Sequence, residues 1–457
     1  MSLADRLRGI VRVEPANRLR QGSGGQEAGP HDGAGPHDDG SAFADGRGGR
    51  LQAAHRDVAE TLGGEWVGSY LVVDTKYSLG YRHGHVAVAD CLPPDEGMWH
   101  ALPLLEPAVV PGRLLFVDLE TTGLGGGAGT YAFLVGCGWF EPPSASASAS
   151  QVAGFRVRQF FLASHTAERA LLEGVADAAN AASGVVTYNG KSFDLPLIET
   201  RFMFHRMETP FAGVPHVDML HPARRLWRSG ADEGCRLTSM EEALLGHVRE
   251  GDVPGFEIPS RYFHYVRTSD ARPLNAVLEH NRLDLLALAM LTARAAQLLE
   301  DGAAGARTAR EAYGLGRLYE RSGRTEEAKA CYTKAAEEPA QADPHKRGPH
   351  DPVVQAEALR AYAILCRRER QYEDAAVAWR RALDLRHCPP QIAREAAEAL
   401  AVHLEHRERD PGAARRYALQ SLQFNVSRSR VEAVHYRLAR LDRKLGDPGL
   451  PGCLVAE

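Results

Sequence analysis

The sequence predicts a mixed α/β sheet flanked by helices, followed by an all-helical repeat region. Three observations carry that prediction. Three β-rich runs follow one another (RLLFVDLE, TYAFLVGCGWF and FRVRQFFL), and strands then alternate with helical segments to about residue 300. This order marks a sheet with helices packed against it. Residues 306–446 are helical in period throughout. The 457 residues suggest two or three domains at roughly 150 residues each.

The elements follow in order. Residues 1–50 read as a disordered region, because 21–50 is rich in Gly, Asp, Ser and His and repeats AGPHD. Such a segment buries too little apolar surface to offset the entropy of ordering it. Residues 51–111 read as a small β-rich extension, with SYLVVD and HVAVAD as strands around the turn-like SLGYRHGH. His83 and His85 lie there; with no third ligand in view, an exposed hairpin end outweighs a metal pair. Residues 112–300 form the α/β domain. After its first three strands come a helix from about 166 to 182, the strand GVVTYN, the helix FDLPLIETRFMF and the short strand HVDML. LTSMEEALLG is a helix opened by a Thr/Ser-x-x-Glu cap, and ARPLNAVLEHNRLDLLALAMLTARAAQLL is a long apolar helix. PPSASASASQ, at 142–151, reads as a flexible hairpin tip.

Residues 306–446 divide into helix–turn–helix units. Leu315, Gly316, Tyr319, Ala328, Tyr332, Ala335 and Pro339 fall close to the ~34-residue tetratricopeptide spacing. A second unit carries Leu359, Tyr362, Ala363, Ala375, Trp379 and Ala382, and a weaker third carries Ala401, Leu404, Ala413 and Tyr417. VEAVHYRLARLDRKLG suits a capping helix. A generic hairpin array has the same physics, since each unit buries its face only by stacking on a neighbour.

Composition narrows the function. Hydrophobic residues make up 44% and charged residues 25%, which is ordinary globular material. No apolar run approaches ~18 residues, which excludes a spanning helix. The first residues lack an apolar core before a cleavage site, so no secretory leader is expected. Seven scattered cysteines without a C-x-x-C exclude a disulfide scaffold and a cysteine zinc ribbon. They point to a reducing, cytoplasmic setting. A net charge of −5 excludes a strong global basic field for nucleic acid, though not a local basic groove.

Three segments carry chemistry. In FVDLETTGL, Asp118 and Glu120 are two apart on a strand and share a face. Two carboxylates side by side repel, and a divalent cation compensates them; a solvated strand edge is the bland alternative. In YNGKSFDLP, Asp194 sits in the first turn of a helix that follows a buried strand. A simple helix cap would look the same. In EHNRLDLLAL, His280 and Asp284 are four apart on one helix face. Alone, that pair reads as structural.

Together the acids run in the order acid-x-acid, Asp, His-x-x-x-Asp, each on its expected element. This resembles the DEDD superfamily of 3′–5′ exonucleases, which share an RNase H-like fold. The resemblance covers about residues 112–300, and ETTGL and N-x-x-x-F-D are its most specific strings. Within the superfamily the chain is similar to a YprB-like bacterial group, in which an RNase H-like domain precedes tetratricopeptide repeats. The segment 252–288 looks like that group's signature. The resemblance implies that Asp118, Glu120, Asp194 and Asp284 hold two Mg²⁺ or Mn²⁺ ions ~3.5–4 Å apart, with His280 as general base. It implies that Thr121, Thr122 and Gly123 touch the terminal nucleotide, and that Asn189 and Phe193 line the nucleotide pocket. One departure stands out. The superfamily's histidine branch places its histidine five residues before the last aspartate, whereas His280 stands four before, where the tyrosine branch has its tyrosine.

Three lookalikes are set aside. Gly123 to Ala128 imitates a dinucleotide-binding loop, but a strand follows where a helix is required. His216, Asp218 and His221 do not all share a face. Arg224, Arg225 and Arg228 around Trp227 would suit a phosphate grip. A solvated face over a buried Trp227 is at least as good a reading, since Lys occurs at only six positions and Arg is abundant everywhere. The expectation is a metal-dependent 3′–5′ exonuclease acting on single-stranded or frayed DNA or RNA, with no membrane association. The repeats would take a protein partner or guide substrate. The alternatives are a non-catalytic nucleic-acid or protein scaffold and a hydrolase of small nucleotides.

Overall fold

The computed structural model describes residues 55–92, 105, 112–123, 129–141, 153–228, 235–337, 352–424 and 428–446. The expectations for 1–50, for the hairpin tip at 142–151, for the loop after Gly123 and for the first inter-repeat link lie outside the described residues.

A helix over residues 55–62 (α1) opens the described chain, unforeseen from the sequence. Strands β1 (Glu65–Val67) and β2 (Tyr70–Ser78) follow. The HVAVAD run is not one strand. β3 (Arg82–His83) pairs with β4 (Val86–Ala87), and the chain then tightens into a 3₁₀ turn, Val88–Cys91. β5 (Leu114–Thr121), β6 (Ala132–Glu141) and β7 (Gly154–Phe161) are the three expected strands, followed by α2 (Glu168–Ala179) and β8 (Gly184–Thr187). Then come α3 (Asp194–Phe204), β9 (His216–Asp218), α4 (Leu220–Leu226), α5 (Leu237–Leu245), α6 (Ile258–Thr268) and the 27-residue α7 (Asn275–Asp301).

The main sheet has seven strands in the order β1-β2-β7-β6-β5-β8-β9. The first five pair antiparallel; β5–β8 and β8–β9 pair parallel. Segment 51–111 thus lends β1 and β2 to the edge of the main sheet. Side-chain alternation gives each face its own core. Leu115, Val117 and Leu119 of β5 join α2, α3 and α6 on one side. Leu114 and Phe116 join α7 on the other.

Helices α8 (Ala309–Arg321) and α9 (Thr325–Ala336), α10 (Pro352–Arg368) and α11 (Tyr372–Asp384), and α12 (Pro390–His403) and α13 (Pro411–Ser421) pack as successive pairs, and α14 (Arg428–Leu445) packs on α13. Their first pair shares a continuous core with the distal half of α7. Glu311 of α8 is buried at this junction and collects Trp227 Nε1 at 2.9 Å and Arg294 Nη2 at 2.9 Å. Trp227 is therefore interior, and the phosphate-grip reading of its arginine neighbours loses its stacking platform. Gly314 permits the contact with α4, because a Cβ there would stand 2.3 Å from the Arg225 carbonyl oxygen. The six described cysteines are free. No described helix is long and apolar enough to cross a membrane.

Candidate active site

Asp118 and Glu120 follow Phe116 on the face of β5 that α7 covers. The helix can come close because Gly136 of β6 stands opposite Asp118. A Cβ at 136 would lie 2.3 Å from Asn281 Oδ1 and 2.7 Å from Leu285 Cδ1. Asn281, fully buried, uses that space. Its Nδ2 donates to Asp118 Oδ2 at 2.7 Å and to the Asp118 carbonyl at 3.2 Å, while its Oδ1 accepts from Gln159 Nε2 at 2.8 Å. The sequence reading missed Asn281 and Gln159. The available signal was slight, since Asn281 is one polar residue among Glu279, His280, Arg282 and Asp284 on that helix.

Asp194 is the first residue of α3, as the sequence indicated. Asn189 takes a left-handed φ of 68° and turns the chain out of β8. Asp218 secures that turn by accepting from the amides of Asn189 (2.7 Å), Lys191 (3.1 Å) and Leu220 (3.1 Å). His216 Nε2 meets Thr187 Oγ1 at 2.8 Å, so His216 and Asp218 serve the fold, while His221 is exposed.

Asp118, Glu120, Asp194, His280 and Asp284 line one cleft of about 540 Å³ with Thr121, Gly123 and Phe193. Two expected contacts are not among its lining. The Thr122 hydroxyl accepts from the Tyr131 amide at 2.9 Å, which ties it to the strand pair, and Asn189 serves through its backbone. Phe193 is 57% exposed at the rim of the cleft.

The electrostatics show crowding. Burial, and then Asp284 and the other carboxylates, push Asp118 and Glu120 well above the usual range. Burial lifts Asp194 to about 6 against hydrogen bonds from the backbone of Asp194 and Leu119. Burial also raises Asp284, while Arg249 and His280 draw it back. Among the described residues, no three of the four bring an oxygen each within 4.8 Å of one another. A divalent cation would offset the charge of four desolvated carboxylates held together by the fold. An all-oxygen, anionic donor set suits hard divalent ions such as Mg²⁺ or Mn²⁺.

The sequence reading also missed Arg249 and Asp252, from the stretch between α5 and α6. Arg249 Nη2 donates to Asp284 Oδ1 at 2.6 Å and Nη1 to Asp252 Oδ2 at 3.2 Å. Asp252 Oδ1 meets His280 Nδ1 at 2.7 Å, and His280 Nε2 lies 3.7 Å from Asp284 Oδ2. Burial raises Asp252, but the His280 hydrogen bond and charge and Arg249 outweigh it, and its carboxyl stays below the usual range. Asp252 opens the 252–288 stretch without a role being assigned to it there, and Arg249 lies just outside it.

Comparison with known proteins agrees with this architecture. The family model RNase_H_2, of the RNase_H superfamily, matches residues 115–296. An uncharacterized protein of Bacillus subtilis (strain 168), YprB, is 30% identical over 382 residues, spanning 82% of this chain and 86% of the relative.

Proposed function

Since the chain belongs to the RNase H superfamily, we propose that it is a metal-dependent nuclease, working as a 3′–5′ exonuclease on single-stranded or frayed DNA or RNA. One observation carries the reading: Asp118, Glu120, Asp194 and Asp284 converge with His280 on a single cleft. The four carboxylates would hold two Mg²⁺ or Mn²⁺ ions. Bound there, such ions supply a water of lowered pKa and offset charge on the phosphate.

The protein's own groups have separable tasks. Asn281 fixes the Asp118 carboxylate through Nδ2. Asp252 accepts from Nδ1–H of His280, which leaves Nε2 as a free acceptor on the cleft side. His280 then takes a proton at Nε2 from the attacking water. Arg249 holds Asp284 by Oδ1, so Oδ2 stays toward His280. Phe193 offers a ring on which an unpaired base stacks, and Thr121 and Gly123 flank the strand end. Tetratricopeptide-like pairing in the helical region would serve a protein partner or guide the strand.

The test uses oligonucleotides labelled at either end, as single strands, duplexes and RNA–DNA hybrids, with EDTA, Mg²⁺ or Mn²⁺. Wild type should shorten strands from the 3′ end only with metal, and folded Asp118→Asn and Asp284→Asn proteins should be inactive. A folded wild type that cuts nothing under any of these conditions would refute the proposal.

A further inference from the structure

A second cluster of ligand-type side chains lies behind Arg249, away from the cleft. It joins β3, α5 and the turn after α5. His83, expected at an exposed hairpin end, is fully buried, and the Thr/Ser-x-x-Glu cap expected for α5 is not made. The helix starts at Leu237, and Glu241 points inward instead. Its Oε1 lies 2.5 Å from His83 Nε2. The His247 ring stacks on the His83 ring with centroids 3.9 Å apart. His83, Glu241 and His247 each offer one ligand atom, and these atoms lie within 4.8 Å of one another.

The backbone is shaped to bring them together. Gly84, with φ of 62°, presses on the end of α5, where a Cβ would stand 2.0 Å from the Leu245 carbonyl oxygen. The His85 amide donates to that same oxygen at 2.8 Å. Gly246, with φ of 68°, ends the helix, and a Cβ there would meet His85 Nδ1 at 2.8 Å. Two glycine turns therefore interlock, and neither tolerates a side chain.

Two further facts point to a ligand. His83 Nδ1, on the ring edge away from the Nε2 that meets Glu241, is buried with no hydrogen-bond partner, although such atoms are nearly always satisfied, so the ring is incompletely paired. And Arg249 takes Glu241 only by Oε2, at 2.7 Å, while its other nitrogens go to Asp252 and Asp284. The arginine charge is thus shared among three carboxylates, and Glu241 Oε1 faces the two imidazoles. Two imidazoles and one carboxylate form a nitrogen-rich donor set, unlike the all-oxygen cleft, and suit a borderline transition metal.

We propose that His83, Glu241 and His247 bind one divalent transition-metal ion of the zinc class, separate from the carboxylate cleft, with water completing the shell. The ion pins the β3–β4 hairpin to α5 and, through Glu241, stiffens the arginine that holds Asp284. This holds whether or not the cleft cuts nucleic acid, because its readout is metal retention.

The experiment uses the full chain, dialysed against chelator, reloaded with Zn²⁺ or Co²⁺ and passed through gel filtration. Retained metal and the visible Co²⁺ bands are measured. Wild type should keep about one equivalent that Asp118→Asn also keeps, and show a saturable Co²⁺ spectrum. His247→Gln, at a half-buried position that spares the fold, should weaken binding ~10-fold or more. Asp118→Asn, in the cleft, should retain the ion and the spectrum. The proposal is overturned if wild type retains no metal and gives no saturable band. It is equally overturned if His247→Gln binds as wild type does, or if Asp118→Asn loses the ion.

Discussion

Replacing Asp194 with asparagine should stabilise the metal-free protein at neutral pH. The amide keeps the size of the carboxyl group and an acceptor for the backbone hydrogen bonds, and it removes one charge from the cleft. Folding raises the Asp194 pKa from 3.8 to about 6, chiefly by burial. A native state that binds the proton more tightly gains its stability below the unfolded value. That stability is lost as pH climbs from 3.8 through about 6. At ~1.4 kcal/mol per unit, and allowing for partial exposure, the ionised group costs the fold about 2–3 kcal/mol above pH ~7. Urea denaturation in EDTA should therefore show Asp194→Asn more stable than wild type by about that amount at pH ~7.5, with the gap closing toward pH ~4. Mn²⁺ should raise wild type and leave the variant nearly unmoved, because an ion that binds only the native site stabilises by mass action. A variant no more stable than wild type in EDTA at pH ~7.5 would refute the idea that crowding strains this cleft. Equal stabilisation of both proteins by Mn²⁺ would remove Asp194 from the metal set.

Three shorter predictions follow from the same geometry. Gly136→Ala places a methyl 2.3 Å from Asn281 Oδ1, where ordinary contact is 3.4–4 Å, so α7 must move by roughly 1 Å. Thermal melts should show a loss of about 1–3 kcal/mol, and cleavage should fall ~100-fold; unchanged melting would mean the helix yields freely. Asp252→Asn unties His280 Nδ1 and should lower kcat ~10–100-fold with little change in KM, read from steady-state oligonucleotide kinetics. Phe193→Ala should weaken single-strand binding by ~1–3 kcal/mol in anisotropy titrations. Its melting temperature should match wild type, because the ring is already 57% exposed.

The central strands were legible from local periodicity. Strand alternation and a helix start placed Asp118, Glu120 and Asp194, but each alone had a bland reading, and only the order of the acids and its resemblance to a known family singled them out. What escaped notice depends on contacts remote in sequence. Asn281 reads as one more polar residue in a long helix until β6 supplies a glycine opposite it. Arg249 and Asp252 sit on a stretch without period, and nothing local tells that they bind α7. Thr122 and Asn189 adjoin true cleft residues, yet one turns into the strand pair and the other works through its amide. His83 was misplaced for the same reason: its partners lie about 160 residues away, on a helix whose own cap signal pointed elsewhere.

The reach of α7 has a practical consequence. The family match stops at residue 296, but the helix runs to Asp301 and keeps Leu298 and Leu299 buried. Its closing turn gives the Leu299 carbonyl to the Tyr319 hydroxyl at 2.7 Å. A truncation at the edge of the family match would bare a ridge of leucine and alanine on the very rod that seats His280, Asn281 and Asp284 at its other end. Such a fragment should aggregate rather than report on catalysis. A unit worth purifying therefore extends beyond α7 into the helical pairs that share its core, and homology boundaries are a poor guide to where this chain can be divided.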